Sequence, residues 1–150
     1  EKMDTTRIGM FGWSRGGMMT YLAVKNSERI KTAVVGNGVS DMFLSAKERP
    51  KMELYVYAKY IPDYWNNKEI ELRNRSVIYW SDQLNESTSF LLLSGSKDQR
   101  VNPIHSEKIA KQLKKEGKKC IHKVYPTGHG FKGYTNELNT ELIKWFANEL

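Results

Sequence analysis

The sequence predicts an α/β layer sandwich of about four mostly parallel strands flanked by helices, and three observations predict it. Four short apolar runs, at residues 5–11, 32–36, 90–94 and 121–125, are nearly continuous rather than alternating, the pattern of parallel strands covered on both faces. Stretches with helical spacing fill most of the gaps between them. The first run also leads through Gly12-Trp13-Ser14-Arg15-Gly16 straight into an apolar helical face, so strand, glycine-flanked serine and helix follow one another.

Each element has its own signal. Met18, Leu22 and Ala23 give the first helix its inward face. The helix at 103–116 has Asn102 to cap it, Pro103 in its first position, Ile109, Ala110 and Leu113 turned inward, and Gly117 to end it. The last helix begins at about Asn136, with Leu138, Leu142, Trp145 and Phe146 forming one stripe. Between the second and third strands, residues 41–89 break the rhythm. This segment carries Pro50 and Pro62 as breakers and eight aromatics: Phe43, Tyr55, Tyr57, Tyr60, Tyr64, Trp65, Tyr79 and Trp80. It is expected to form several short helices and loops, with about two-thirds of its aromatics in the core and a minority lining a pocket.

At 150 residues the chain is one domain's worth, 1–150, enough for one core but not two. Lys and Arg outnumber Asp and Glu by 24 to 17, a net charge of +7. The cations are spread out except in the run 111–119, which reads as the solvated end of a helix rather than a polyanion site, and nucleic acid is not expected as a partner. The single cysteine, Cys120, excludes an internal disulfide and fits a reducing compartment. No apolar run is long enough to span a membrane, so a cytoplasmic protein with no membrane partner is expected. The chain begins at Glu1 without an initiator methionine, as expected of a piece of something longer.

The chemistry is read from Gly12-x-Ser14-x-Gly16, the spacing of a nucleophile elbow, in which a strained turn between strand and helix exposes a serine hydroxyl. Glycine is expected on both flanks because a Cβ would clash there. Alone the match is weak, since at ordinary abundances it arises by chance in about one chain of this length in twenty. A serine hydroxyl also needs a base, and the base a third group to orient it, following in the order acid then histidine in α/β-hydrolases. Asp98 lies just past the third strand, in the loop before the capped helix. His129 lies just past the fourth, between Gly128 and Gly130. His105 falls in a helix and His122 inside a strand, so His129 is the expected base. Ligands and catalytic groups in such sheets gather at the carboxyl ends of strands. The Arg15 backbone N–H is the expected first oxyanion donor, while the second ordinarily comes from a loop after an earlier strand. Loss of one donor costs roughly a hundred- to a thousandfold in turnover, so weak catalysis at best is expected of these residues alone. The histidines lack ligand spacing and Cys120 has no partner, so no metal and no cofactor is expected.

Met3-Asp4-Thr5-Thr6-Arg7-Ile8-Gly9 leading into Gly12-Trp13-Ser14-Arg15-Gly16-Gly17-Met18-Met19-Thr20, followed by Gly38-Val39-Ser40-Asp41, resembles the catalytic domain of the prolyl oligopeptidase family of serine peptidases. Leu91-Leu92-Leu93-Ser94-Gly95 with Asp98 and Val101, and Pro126 with Gly128-His129-Gly130-Phe131, resemble its acid and histidine segments. The resemblance implies the C-terminal half of an α/β-hydrolase domain, a triad of Ser14, Asp98 and His129, and Arg100 and Val101 on the substrate side of the acid loop. Ser94 stands where a histidine is usual in that family, and Arg15 where a tyrosine is common. The resemblance further implies that the strand at 5–11 is left as an unpaired edge, where a second copy is expected to pair. The expected activity is a serine peptidase acting on short peptides through an acyl-enzyme. A carboxylesterase on the same fold and a non-catalytic folding or interaction module stand as alternatives.

Overall fold

The four apolar runs lie side by side in chain order. In a computed structural model that describes residues 4–150, β1 (Ile8–Trp13), β2 (Ile30–Gly36), β3 (Ser89–Gly95) and β4 (Cys120–Tyr125) form one parallel sheet ordered β1-β2-β3-β4. Glu1, where the expected domain starts, and Met3, which opens the resembling stretch, lie outside the described residues. All four strands run the same way, so Trp13, Gly36, Gly95 and Tyr125 bring their carboxyl ends to one edge.

The helices cover the sheet on both sides. Tyr21 and Val24 of α1 (Arg15–Lys25) and Ile109, Ala110 and Leu113 of α6 (Ile104–Lys115) pack on one face, against Ala33, Val35, Phe90 and Leu92. Trp145 of α7 (Thr135–Glu149) packs on the other, against Val34, Leu91 and Leu93. Continuous burial holds for β3, all of whose residues are buried, and nearly so for β2. It fails for β1 and β4, because each is an edge strand: Phe11 and Val124 are exposed. The first strand also starts and ends later than residues 5–11, since Thr5 and Thr6 form a turn with Asp4 accepting from Thr6.

α6 begins one residue later than expected, with Pro103 at the cap position, while the Asn102 side chain still accepts from Ile104 N at 3.1 Å. Gly117 ends the helix at φ 75°, a left-handed conformation that glycine adopts without a Cβ penalty. Just beyond it one cation departs from a solvated run: Lys118 is buried and its Nζ donates to the Leu84 carbonyl at 2.8 Å.

The insertion between β2 and β3 holds α2 (Met42–Glu48), α3 (Pro50–Met52), a single π-helical turn at Glu53–Tyr57, α4 (Ala58–Tyr60), α5 (Tyr64–Asn74) and two 3-10 turns. Asp41 caps α2 by accepting from Phe43 N and Leu44 N. The expected burial of its aromatics is corrected. Tyr57, Tyr64 and Trp80 are buried and Phe43 is half-buried, but Tyr55, Tyr60, Trp65 and Tyr79 are exposed. The cause is geometric: helices of three to eleven residues offer narrow inward faces, so their outward aromatics have no layer to cover them. Among the described residues, no helix is long and apolar enough to cross a membrane, and no cluster of three or more His, Cys, Asp or Glu is placed to hold a metal ion.

Candidate active site

Ser14 sits between β1 and α1 with φ 57° and ψ −116°, a strained conformation for a residue with a side chain. The strain is held from both sides. Ser14 N donates to the Gly36 carbonyl at 2.8 Å, and Gly17 N donates to the Ser14 carbonyl at 3.0 Å. The glycine requirement is half as expected. A Cβ on Gly12 would lie 2.2 Å from the Gly16 carbonyl oxygen, so strand and helix touch there. On Gly16 a Cβ would meet nothing within 4 Å. The second close approach belongs to Gly17, where a Cβ would come within 2.8 Å of the Gly38 Cα.

Asp98 lies in the loop after β3 with its side chain fully buried. Its Oδ1 accepts from Arg100 N at 2.8 Å and Val101 N at 3.1 Å, and its Oδ2 faces His129 Nδ1 at 2.7 Å. An ionised carboxylate only accepts, so His129 Nδ1 donates in this bond, and in a neutral imidazole Nε2 is then the nitrogen that keeps a lone pair. The His129 ring is 16% exposed. No hydrogen bond joins it to the Ser14 hydroxyl among the described residues; the two loops are linked instead by Trp13 Nε1, which donates to the His129 carbonyl at 3.2 Å. Trp13 also packs edge-on against Phe131, with ring centres 4.9 Å apart.

The other two histidines are engaged elsewhere. His105 is buried in the first turn of α6, where its Nδ1 accepts from Ser40 N and Asp41 N at 3.3 Å each. Burial holds its imidazole below the ordinary range, although nearby Glu48 and Asp41 pull the other way. His122, on β4, hydrogen-bonds Ser94 Oγ at 2.8 Å, and burial lowers its pKa too.

A cavity of about 220 Å³ lies beside the elbow. Ser14 and Arg15 line it together with Met18, Val39, Met42, Met52, Tyr57 and Val101. It falls short of the roughly 300–1,000 Å³ of a whole-ligand pocket and suits a single apolar side chain. Of the two residues expected on the substrate side of the acid loop, Val101 is buried in this wall. Arg100 is exposed and borders a shallower depression with Asp98, Glu48 and Arg49. Sequence reasoning missed most of the wall, which the methionines and the π-helical turn form by tertiary packing. It also missed Asn37. Its only sequence signal is Gly36-Asn37-Gly38 directly after a strand, a setting in which asparagine tolerates positive φ, here 43°.

An open parallel sheet with a strained serine at one strand end and a carboxylate–imidazole pair at two others places the chain among α/β-hydrolases. Residues 1–150 match the prolyl oligopeptidase family throughout, and the chain belongs to that family. It is 31% identical over 152 residues to an uncharacterized peptidase of Bacillus subtilis, covering 95% of this chain and 55% of the relative. The acylaminoacyl peptidase of Pyrococcus horikoshii shares the fold with a TM-score of 0.85 at 24% identity, over 98% of this chain and 24% of its own. A puromycin-hydrolyzing peptidase of Mycobacterium tuberculosis has a TM-score of 0.82 at 25% identity, over 98% of this chain and 22% of its own. The chain spans 13% and 55% of the lengths of two curated relatives that it matches.

Proposed function

We propose that the chain carries the reacting groups of a serine peptidase that cleaves short peptides after an apolar residue. The observation that supports this best is the Asp98–His129 bond of 2.7 Å, which leaves Nε2 free to act as a base in a loop tied through its His129 carbonyl to Trp13, the residue before the strained Ser14. In this reading Ser14 Oγ attacks the scissile carbonyl carbon while His129 Nε2 takes its proton. The imidazolium, stabilised by Asp98, then protonates the leaving amine as the carbon–nitrogen bond breaks. Water activated by the same nitrogen hydrolyses the ester on Ser14 and restores the serine. Bonds from serine to histidine are often long without substrate and tighten when it binds, so the unjoined Ser14 and His129 fit the scheme.

Arg15 is the first residue of α1, where backbone N–H groups lack helical partners, and its amide supplies one donor to the oxyanion. The cavity beside Ser14 receives the apolar side chain preceding the cleaved bond, with Val101 as part of its wall. Arg100, at the rim of the acid loop, meets the substrate further out.

Treatment with a fluorophosphonate, followed by peptide mass spectrometry, tests the reading. An adduct on Ser14 that is absent from Ser14→Ala is expected. A folded protein that takes up no adduct would overturn it. Rates on aminoacyl anilides against p-nitrophenyl esters then separate a peptidase from an esterase.

A further inference from the structure

Two consecutive residues at the end of β2 hold all three segments of the site. The Gly36 carbonyl accepts from Ser14 N at 2.8 Å, which fixes the elbow. Asn37 N donates to the Leu93 carbonyl at 2.8 Å, and Asn37 Oδ1 accepts from Gly95 N at 2.9 Å, so the end of β3 is gripped three residues before Asp98. Asn37 Nδ2 donates to the His129 carbonyl at 2.9 Å. That carbonyl also accepts from Trp13 Nε1, so both of its lone pairs are used.

Resting on the triad reading above, we propose that Asn37 is a positioning residue for the base, setting where His129 stands relative to both Asp98 and Ser14. Three features of the residue fit that task. It is 2% exposed, so its bonds do not compete with water. Its amide orientation is fixed by its partners, because the reverse would set N–H against N–H at Gly95 and oxygen against oxygen at His129. Its φ of 43° is one that few side chains other than asparagine accept, and it turns the chain out of β2 toward the other two loops.

The surrounding geometry explains why such a clamp is needed. His129 stands in a loop with a glycine on each side, and Gly130 has open space where a Cβ would be. The Asp98 bond orients the imidazole but does not fix the distance of its backbone from the elbow. The acid loop is itself tied to the histidine loop, with Lys97 N donating to the Thr127 carbonyl at 3.0 Å. Without Asn37 the two loops can shift together away from Ser14 while keeping their mutual bond. Among the described residues, Trp13 would then hold the histidine loop to the elbow, through its indole N–H bond to the His129 carbonyl and its packing on Phe131.

Two substitutions at Asn37 and two readouts test this. Asn37→Asp keeps the size and the acceptor for Gly95 N but sets an oxygen against the His129 carbonyl. Asn37→Gly keeps the positive φ and removes both side-chain bonds. In each, fluorophosphonate uptake at Ser14 is expected to fall about a hundredfold, the effect of misplacing a reacting group by about 1 Å. The downfield proton resonance of His129 Nδ1–H, assigned with ¹⁵N-histidine, is expected to stay present but exchange faster with solvent. Uptake at the wild-type rate with unchanged exchange would overturn the proposal, and so would slow uptake with unchanged exchange. If the wild-type protein takes up no probe, the triad reading fails, and the exchange rate alone still decides whether Asn37 holds His129. Should neither variant give a native circular dichroism spectrum, Trp13→Phe removes the other donor to the same carbonyl, and a smaller change of the same sign in both readouts is expected.

Discussion

Every residue of β3 from Ser89 to Gly95 is buried, whereas half of the eight aromatics in the insertion between β2 and β3 face water. The two regions serve the same site by different means. The sheet sets Ser14, Asp98 and His129 by backbone pairing, so their relative places depend on the register of strands packed on both faces. The insertion forms one wall of the cavity from short helices joined by side-chain contacts such as the Ser45–Tyr57 hydroxyl pair at 2.9 Å. Interiors packed on all sides tolerate little change, while a wall with a solvent-facing back can readjust. The difference teaches that stability resides in the sheet and, on the proposed reading, reaction geometry too, with the choice of substrate side chain left to the insertion.

Substitutions can break or sharpen that contrast. The largest effect is expected for Leu92→Ala in the centre of β3, a loss of about 2–5 kcal/mol in urea unfolding. Next comes Gly12→Ala, whose Cβ would meet the Gly16 carbonyl and Thr20 Oγ1 at 2.2 Å each, with an expected loss of about 1–3 kcal/mol or more. Both should also stop fluorophosphonate uptake. In the insertion, Tyr57→Phe removes one hydroxyl from the cavity wall at an expected cost of about 1 kcal/mol. Its mark should be a changed KM for apolar peptide substrates with kcat nearly unchanged.

A weaker effect is expected from pH, through His105 at the junction of insertion and α6. Burial lowers its folded pKa, so the unfolded chain binds the proton more readily. Stability is therefore complete above the ordinary imidazole pKa of about 6.5 and is lost as pH falls from there toward the folded value. His105→Asn should flatten the decline of melting temperature between about pH 7 and 5, leaving the part owed to His122. Smallest of all, Tyr60→Ala at an exposed position should change unfolding by no more than about 0.5 kcal/mol. A larger loss there would dissolve the contrast.

The same division decides what the sequence reveals. β2 and β3 are legible because burial on both faces writes an unbroken apolar run, and α6 because Asn102 and Gly117 mark its ends. Ser14, Asp98 and His129 are legible as positions since each follows a strand, yet the Asp98–His129 bond itself depends on two loops meeting 31 residues apart. The insertion is poorly legible because its helices are too short to show a period, and an aromatic residue looks alike whether it is covered or not. Asn37 is the extreme case. Nothing in its neighbours tells that its amide spans β3 and the histidine loop, since both partners are backbone groups and leave no trace in side-chain pattern.

The adjacency of Gly36 and Asn37 also bears on how misfolded copies of this chain would behave. Slipping β2 by one residue against β3 moves Asn37 by about 3.3 Å and reverses the facing of each strand side chain. Asn37 N then misses the Leu93 carbonyl, and its side-chain amide misses both Gly95 N and the His129 carbonyl. On the proposed reading a mispaired sheet is thus inert even when its hydrophobic residues find cover. Reactivity at Ser14 would accordingly count correctly folded molecules in a mixture, a quality control that the chain carries in two neighbouring residues.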